Sequence, residues 1–238
     1  MNTIRLLCSI GLLAGLVSGE RAGAATATEW ALRFFGISAN PSSMKGPNDD
    51  PGPGDIWIAD LPEQKPVALT TGGGYRWPVF EPGGGAVIAL RGGAVVRVPL
   101  AGGPQRVLHP AGRVGKLVGF DRKDGSKVLV LLVADDGSVV PGEFHLATGK
   151  ASGFQEGRKD LNLMAHLESQ QRVYGKAVVF SKAMSDTTIS GAQIEWTDVH
   201  YADGQSAARN VSRCKPVNCN QPSLSPDGLK VAFIKAGH

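Results

Sequence analysis

Past its first 25 residues, the 238-residue chain has no apolar run long enough to cross a bilayer, which takes about 20 residues. It also has no block of five or six like charges. Its 25 basic and 21 acidic residues leave a net charge of +4, spread as a solvated mixed-charge surface, so nucleic acid is not an expected partner. There is no Gly-x-Ser-x-Gly elbow to hold a nucleophile. The five histidines, His109, His145, His166, His200 and His238, include no His-Glu-x-x-His pair for zinc. The runs Gly72, Gly73, Gly74 and Gly83, Gly84, Gly85 lack the Gly-Lys-Ser/Thr ending of a phosphate loop and precede no helical pattern. Asp49, Asp50 and Asp55 miss the regular spacing of a calcium loop. These absences leave no catalytic constellation, no cofactor and no metal to expect.

What the chain has in excess is turn chemistry. Its 32 glycines and 15 prolines together make about 20% of the residues, against a usual combined share of roughly 12%. Such an excess suits many short strands joined by tight turns. Residues 1–25 have the form of a secretory signal peptide: Arg5 near the start, an apolar core over residues 6–17, and small residues at Ala22, Gly23 and Ala24. Cleavage after Ala24 or Ala25 would leave residues 26–238 as an exported, soluble chain in the periplasm or outside the cell. An uncleaved N-terminal anchor is the alternative. Cys8 leaves with the signal, so Cys214 and Cys219 remain as an even pair with four residues between them. In an oxidising compartment that pair is expected to form a local disulfide worth about 2 kcal/mol. Without a neighbouring His or third Cys it makes a poor zinc site, and it is not the Cys-x-x-Cys of a thiol oxidoreductase.

The clearest local pattern is at the C-terminal end. Residues 221–224 lead into Ser225-Pro226-Asp227-Gly228, followed by Leu229-Lys230-Val231-Ala232-Phe233-Ile234. This reads as strand, tight turn, buried strand. The same unit recurs upstream. Tyr75-Arg76-Trp77-Pro78-Val79-Phe80 runs into a turn at Glu81-Pro82-Gly83-Gly84 and then Ala86-Val87-Ile88-Ala89-Leu90. Two stretches, from Ile56 to Leu69 and from Val95 to Leu108, align as the outer strands of such units. A third copy runs from Leu117 through an Asp124-Gly125 turn to Val130, with an outer strand near Glu143 to Leu146. A fourth is expected to start at residues 161–167, which also suit a short helix, and to continue through residues 176–181, 193–199 and 207–211. Residues 31–37 read as one more strand, and residues 38–54 as a loop. From Phe80 to Phe120 is 40 residues, and from Phe120 to Leu224 is 104, or two steps of 52. A period of roughly 40–50 residues with four short strands is that of a propeller blade.

The Ser225-Pro226-Asp227-Gly228-Leu229-Lys230-Val231-Ala232-Phe233 stretch resembles the repeat of TolB-like β-propellers, exported proteins with WD-repeat-like blades. The resemblance extends over roughly residues 31–238. It implies an all-β fold, a β-propeller of four-stranded antiparallel blades. The 213 residues left after signal removal suffice for four to five blades at about 45 residues each. The chain enters in mid-blade and ends on a second strand. N- and C-terminal strands pairing to close the ring is therefore the favoured arrangement, with a truncated or partner-completed ring as the alternative.

In such a fold, binding falls at the central channel or on the face where first strands begin. The residues leading those strands are Tyr75, Arg76 and Trp77, then Lys116, Asn162 and His166, then Asn220 and Gln221. Tyr, Trp and Arg are frequent interface anchors, so Arg76, Trp77, Tyr75, Asn220 and Gln221 are the candidate binding residues. Trp77 packing between blades is the competing reading. The expected function is non-enzymatic: a protein-binding or scaffold module of the cell envelope, with another envelope protein or a peptide as partner, as the resemblance to TolB implies. The alternative is a small propeller hydrolase or lyase with a metal or ligand in the channel. The strand leaders are mainly Arg, Lys, Asn and Gln, which disfavours a cation site.

Overall fold

A computed structural model describes residues 52–61, 65–120, 124–153 and 172–236. The signal segment, the strand expected at 31–37, most of the loop at 38–54 and the segment 161–167 lie outside the described residues. Among those described there is no helix, and every strand pairing is antiparallel.

The described residues begin with β1 (Gly54–Asp60) and the short β2 (Val67–Ala68). Two four-stranded meanders follow. The first is β3 (Tyr75–Phe80), β4 (Ala86–Arg91), β5 (Ala94–Pro99) and β6 (Arg106–His109). The second is β7 (Val114–Phe120), β8 (Lys127–Val133), β9 (Val139–His145) and β10 (Lys150–Gly153). A third comprises β11 (Val173–Tyr174), β12 (Ala177–Thr187), β13 (Gln193–Ala202) and β14 (Arg209–Asn210). The chain closes with β15 (Cys219–Leu224) and β16 (Lys230–Ala236). The outer strands of the 55–69 and 95–108 stretches fall where the repeat puts them; the one expected near residues 143–146 starts earlier, as β9 from Val139, and β10 follows it. The 176–211 stretch supplies its three outer strands, and its first strand is the two-residue β11.

The first and last described stretches share one ladder, in the order β15, β16, β1, β2. β1 pairs with β16 along its whole length, from Gly54 opposite Ala236 to Asp60 opposite Lys230. An ion pair between Asp60 and Lys230 closes the far end. Gly54 is where this pairing could not tolerate a side chain: a Cβ there would stand 2.0 Å from the Lys235 carbonyl oxygen. A single residue pair, Gly54 opposite Tyr75, joins this ladder to the β3–β6 ladder. The architecture is therefore four antiparallel ladders of four strands.

Three apolar clusters join the ladders in a row. One apolar cluster lies between the β3–β6 and β7–β10 ladders and includes Val79, Ile88, Leu117, Phe120, Val130 and Phe144. A second joins the β3–β6 ladder to the terminal ladder through Phe80, Val87, Ile56 and Ile234. A third joins the terminal ladder to β11–β14 through Val179, Val199, Leu224, Val231 and Phe233. This explains why β4, β8 and β16 read as continuous apolar runs rather than alternating ones: a strand covered on both faces has no solvent side to mark with polar residues. The outermost strands β2, β6 and β10 are short and largely exposed, which keeps the free edges from offering a long flat template.

The two Pro-Gly turns are the same object in space. Gly228 N–H donates to the Ser225 carbonyl at 2.9 Å, and Gly84 N–H to the Glu81 carbonyl at 2.8 Å. Both glycines have positive φ, 73° and 69°. The Asp227 carboxylate accepts from the Ser225 hydroxyl and from Leu229 N–H, which holds its acid strength up, with a pKa below the usual aspartate range. Gly228 is needed twice over: a Cβ there would also meet the Tyr174 ring at 2.4 Å. Turn and neighbouring ladder are thus fitted to each other.

The expected disulfide is present between Cys214 and Cys219, with Cα atoms 6.0 Å apart. It closes the loop that leads from β14 into β15. Beside it lies a buried polar hub. Asp198 on β13 is only 2% exposed, yet its carboxylate has four donors. Oδ2 accepts from Trp196 Nε1 at 2.7 Å and Asn210 Nδ2 at 2.8 Å. Oδ1 accepts from the Ser212 hydroxyl at 2.8 Å and Cys214 N–H at 2.6 Å. Burial pushes this carboxyl up, but the bonds from Cys214, Trp196, Ser212 and Asn210 outweigh it, and the net pKa lies below the usual aspartate value. The Ser212 hydroxyl also accepts from Val199 N–H at 2.8 Å, so one carboxylate ties β13, the β14 loop and the disulfide together.

Candidate functional site

β3, β7 and β15 are the first strands of their ladders, and β3 packs against both of the others. Two of the three carry a proline: Trp77-Pro78 in β3 and Gln221-Pro222 in β15. Proline has no N–H to give to a ladder and restricts the residue before it, so in a sheet it sits at an edge or a bulge. Both strands bulge at that point. The register of β3 against β4 slips between Arg76 and Val79, and that of β15 against β16 between Asn220 and Ser223. At the centre of each bulge the residue before proline takes left-handed backbone angles, φ 53° at Trp77 and 57° at Gln221. For a side chain of this size such a conformation costs on the order of 1–3 kcal/mol and persists only where its surroundings hold it.

The surroundings here are the two bulges themselves. The Trp77 N–H, turned out of its own ladder, donates to Gln221 Oε1 at 2.6 Å across 144 positions of sequence. Lys116 of β7 sets its Nζ 4.3 Å from the Trp77 ring centroid, a cation–π contact in a buried setting. Around this pair is a cleft of about 280 Å³, counting the solvent at its mouth. Its walls are Trp77, Pro78 and Val79 from β3, Lys116, Leu117 and Val118 from β7, Gln221, Pro222 and Ser223 from β15, and Arg172. Its enclosed part is about 20 Å³, room for about one water.

The polar atoms of the cleft are not balanced among themselves. Gln221 is 5% exposed and Ser223 is 1% exposed, yet among the described residues Gln221 Nε2 and Ser223 Oγ have no hydrogen-bond partner. A buried donor left unpaired costs about 1–3 kcal/mol. Two of them in one cleft, beside two strained residues, is where a structure is expected to hold something for use.

Of the five candidate binding residues, the structure brings Trp77 and Gln221 together in this cleft. Tyr75 sits in the apolar cluster with Ile56 and Phe80. Its hydroxyl donates to Gln105 Oε1 at 2.6 Å, and Arg91 lies 4.8 Å from its ring centroid. Burial pushes the Tyr75 hydroxyl pKa up, with Arg91 opposing and Asp55 reinforcing the shift. Asn220 is buried in β15 and Arg76 is half-buried in β3; neither lines the cleft. Trp77 also belongs to the apolar cluster between β3 and β7, so its ring packs as core and walls the cleft at once. Lys116, a strand leader by sequence, lines the cleft, while Asn162 and His166 lie outside the described residues. Ser223 and Arg172 were not singled out by sequence. A signal for Ser223 exists: aligned on their prolines, β15 has Ser where β3 has Val79. Among the described residues no group of three His, Cys, Asp or Glu side chains is placed to hold a metal ion.

No protein-family model and no curated protein matches the chain. Two solved structures are similar at a distance. One is described as a TolB from Agrobacterium tumefaciens, with 13% identity and a TM-score of 0.39, over 74% of this chain and 60% of that one. The other is the isopeptidase AtxE2 with an astexin peptide bound, with 15% identity and a TM-score of 0.34, over 68% of this chain and 24% of that one. The chain thus spans less than two thirds of the length of either. At that distance neither carries an activity over to this chain, whose function has to be read from its own residues.

Proposed function

We propose that this chain is an exported, non-enzymatic β-propeller of the TolB-like kind that binds another envelope protein or a peptide at the cleft between β3, β7 and β15. In this reading the four ladders are blades, β15, β3, β7 and β11 are their inner strands, and the pairing of β1 with β16 joins first and last. The observation that carries it is the cleft itself: two left-handed residues locked to each other, with two buried side-chain donors that have no partner among the described residues. The matching geometry of the turns at residues 81–84 and 225–228 supports a repeated blade. The Cys214–Cys219 disulfide and the signal-like residues 1–25 support an oxidising, exported setting.

The test is affinity capture from envelope extract with two baits, the wild-type chain and Lys116→Glu, both shown to have the same β-sheet spectrum. The expected outcome is a protein that the wild type retains and the variant releases. Equal retention by both baits, or none by either, refutes binding at the cleft.

A further inference from the structure

β12 and β13 outrun the rest of their ladder. β11 pairs only with Ala177 and Val178 of β12, and β14 only with His200 and Tyr201 of β13. Beyond them the two strands continue as a paired arm, Lys182 to Thr187 opposite Asp198 to Gln193, closed by a turn at residues 188–192. A two-stranded ribbon is marginally stable in water, so an arm of this kind gains from further strands beside it.

The two edges of the arm differ. On the β13 side, Thr197 N–H donates to Asn218 Oδ1 at 2.9 Å, so that edge is covered up to Thr197. On the β12 side, Val179 N–H points away from β13 and donates to the Arg172 carbonyl at 2.9 Å. Backbone groups alternate sides along a strand, and the β12–β13 register runs without a shift. Ala183 and Ser185 therefore also turn their N–H and C=O away from β13, and among the described residues these groups meet no partner. Ser181 is already engaged, and the Thr187 N–H is taken by Asp186 Oδ1, so the open stretch is centred on Met184. Lys182, Ala183, Ser185 and Asp186 are exposed. An exposed row of unpaired backbone groups is a template for another strand.

This edge is complementary to itself. Set antiparallel to a second copy about Met184, Ala183 of each copy lies opposite Ser185 of the other, and each such pair exchanges two backbone hydrogen bonds. Lys182 of each copy lies opposite Asp186 of the other, and Met184 meets Met184. Centring the pairing on Lys182 or Asp186 puts like charges face to face, and centring it on Ala183 or Ser185 sets a charge against Met184. Asp186 is ion-paired with Lys215, so its carboxylate would be shared between two ammonium groups. An exposed pair of this kind contributes little affinity and chiefly fixes the register; the backbone bonds carry the association.

We infer that the chain self-associates as a two-fold dimer through the β12 edge, the two arms forming one four-stranded antiparallel sheet centred on Met184. None of these residues lines the cleft, so this assignment stands or falls independently of what the cleft binds.

The experiment is sedimentation equilibrium of the full chain over a range of concentrations. A monomer–dimer equilibrium is expected. Ser185→Pro removes an outward N–H and leaves the β12–β13 ladder its bonds, so the variant should keep the wild-type β-sheet spectrum while its dimer dissociation constant rises by about tenfold or more. Lys182→Asp and Asp186→Lys each set like charges opposite one another and should each dimerise more weakly than the wild type. Mixed together they place opposite charges at both positions and should form a heterodimer tighter than either homodimer. A wild type that is monomeric at every concentration overturns the assignment; if such a monomer retained an envelope protein that Ser185→Pro released, the edge would belong to a foreign strand. A dimer indifferent to Ser185→Pro, or charge variants whose mixture gains nothing, overturns it equally.

Discussion

Two buried polar sites in this molecule are built from similar parts and resolved in opposite ways. At Asp198 one carboxylate meets four donors, and both its oxygens are used. At the β3–β15 bulges two donors, Gln221 Nε2 and Ser223 Oγ, are buried with no acceptor among the described residues. The first site is closed upon itself and holds β13, the β14 loop and the disulfide in place. The second costs stability and is kept in a conformation that each strand would avoid alone. A satisfied network fixes a fold; an unsatisfied one, beside strained backbone, costs stability that something else has to justify. The comparison can be broken by mutation, because the two sites should respond to loss of a polar group with opposite sign.

The largest effect is expected at Asp198. Asp198→Ala removes the common acceptor and strands Trp196 Nε1, the Ser212 hydroxyl, Asn210 Nδ2 and the Cys214 N–H in a buried setting. The expected loss is about 3–5 kcal/mol, by analogy with breaking other buried charge networks. Urea unfolding of the variant measures it. A loss below about 1 kcal/mol would mean that water replaces the carboxylate freely and that the hub is not closed. Next comes the disulfide. Replacing both Cys214 and Cys219 by Ser should cost about 2 kcal/mol, from the freedom returned to a short unfolded loop. A cost near zero would show that the Asp198 bonds to residues 210–214 already hold the loop without it.

Acid should act on the same ladder by a smaller step. His200 is buried on β13, its ring stacked on Phe180 with centroids 5.8 Å apart and neither ring nitrogen partnered. Burial lowers its pKa, Lys182 lowers it further, and Asp198 opposes. A histidine with a depressed folded pKa contributes stability that is complete above its ordinary value of about 6.5 and is lost as pH falls through the folded value. Asp198, also depressed, keeps its contribution above the ordinary aspartate value of about 3.9 and loses it below. Stability of the wild type should therefore fall in two steps on acidification. In His200→Phe the upper step should be missing. An unchanged upper step in that variant would assign it to another group.

The two sites also differ in how much of them could be read from the chain. The β15–β16 hairpin was legible because turn chemistry is local: Ser225-Pro226-Asp227-Gly228 states its own geometry. Half of the cleft was legible for a similar reason, since Trp77 and Gln221 each precede a proline at the same place in a repeated unit. Ser223 and Arg172 were not. Strand periodicity says which residues face inward, not whether an inward hydroxyl finds a partner, and Arg172 belongs to no repeat. The Asp198 hub was invisible throughout. Trp196-Thr197-Asp198 reads only as a strand, and the donors from residues 210–214 arrive by a loop whose path no local pattern sets.

The smallest effect has the most telling sign. Ser223 occupies in β15 the place that Val79 occupies in β3, and its hydroxyl is buried without a partner. Ser223→Ala removes that unpaired group and leaves little void, so the variant should be more stable than the wild type, by about 0.5–1 kcal/mol, a modest part of the cost of a buried unpaired donor. The same change should weaken the capture of a partner at the cleft. A gain in stability with a loss of binding would separate the two sites by physical kind: Asp198 retained for the fold, Ser223 retained against it. If Ser223→Ala instead destabilises by more than about 1 kcal/mol, the hydroxyl has an acceptor in solution, and the contrast between a closed hub and an open cleft collapses into two ordinary buried networks.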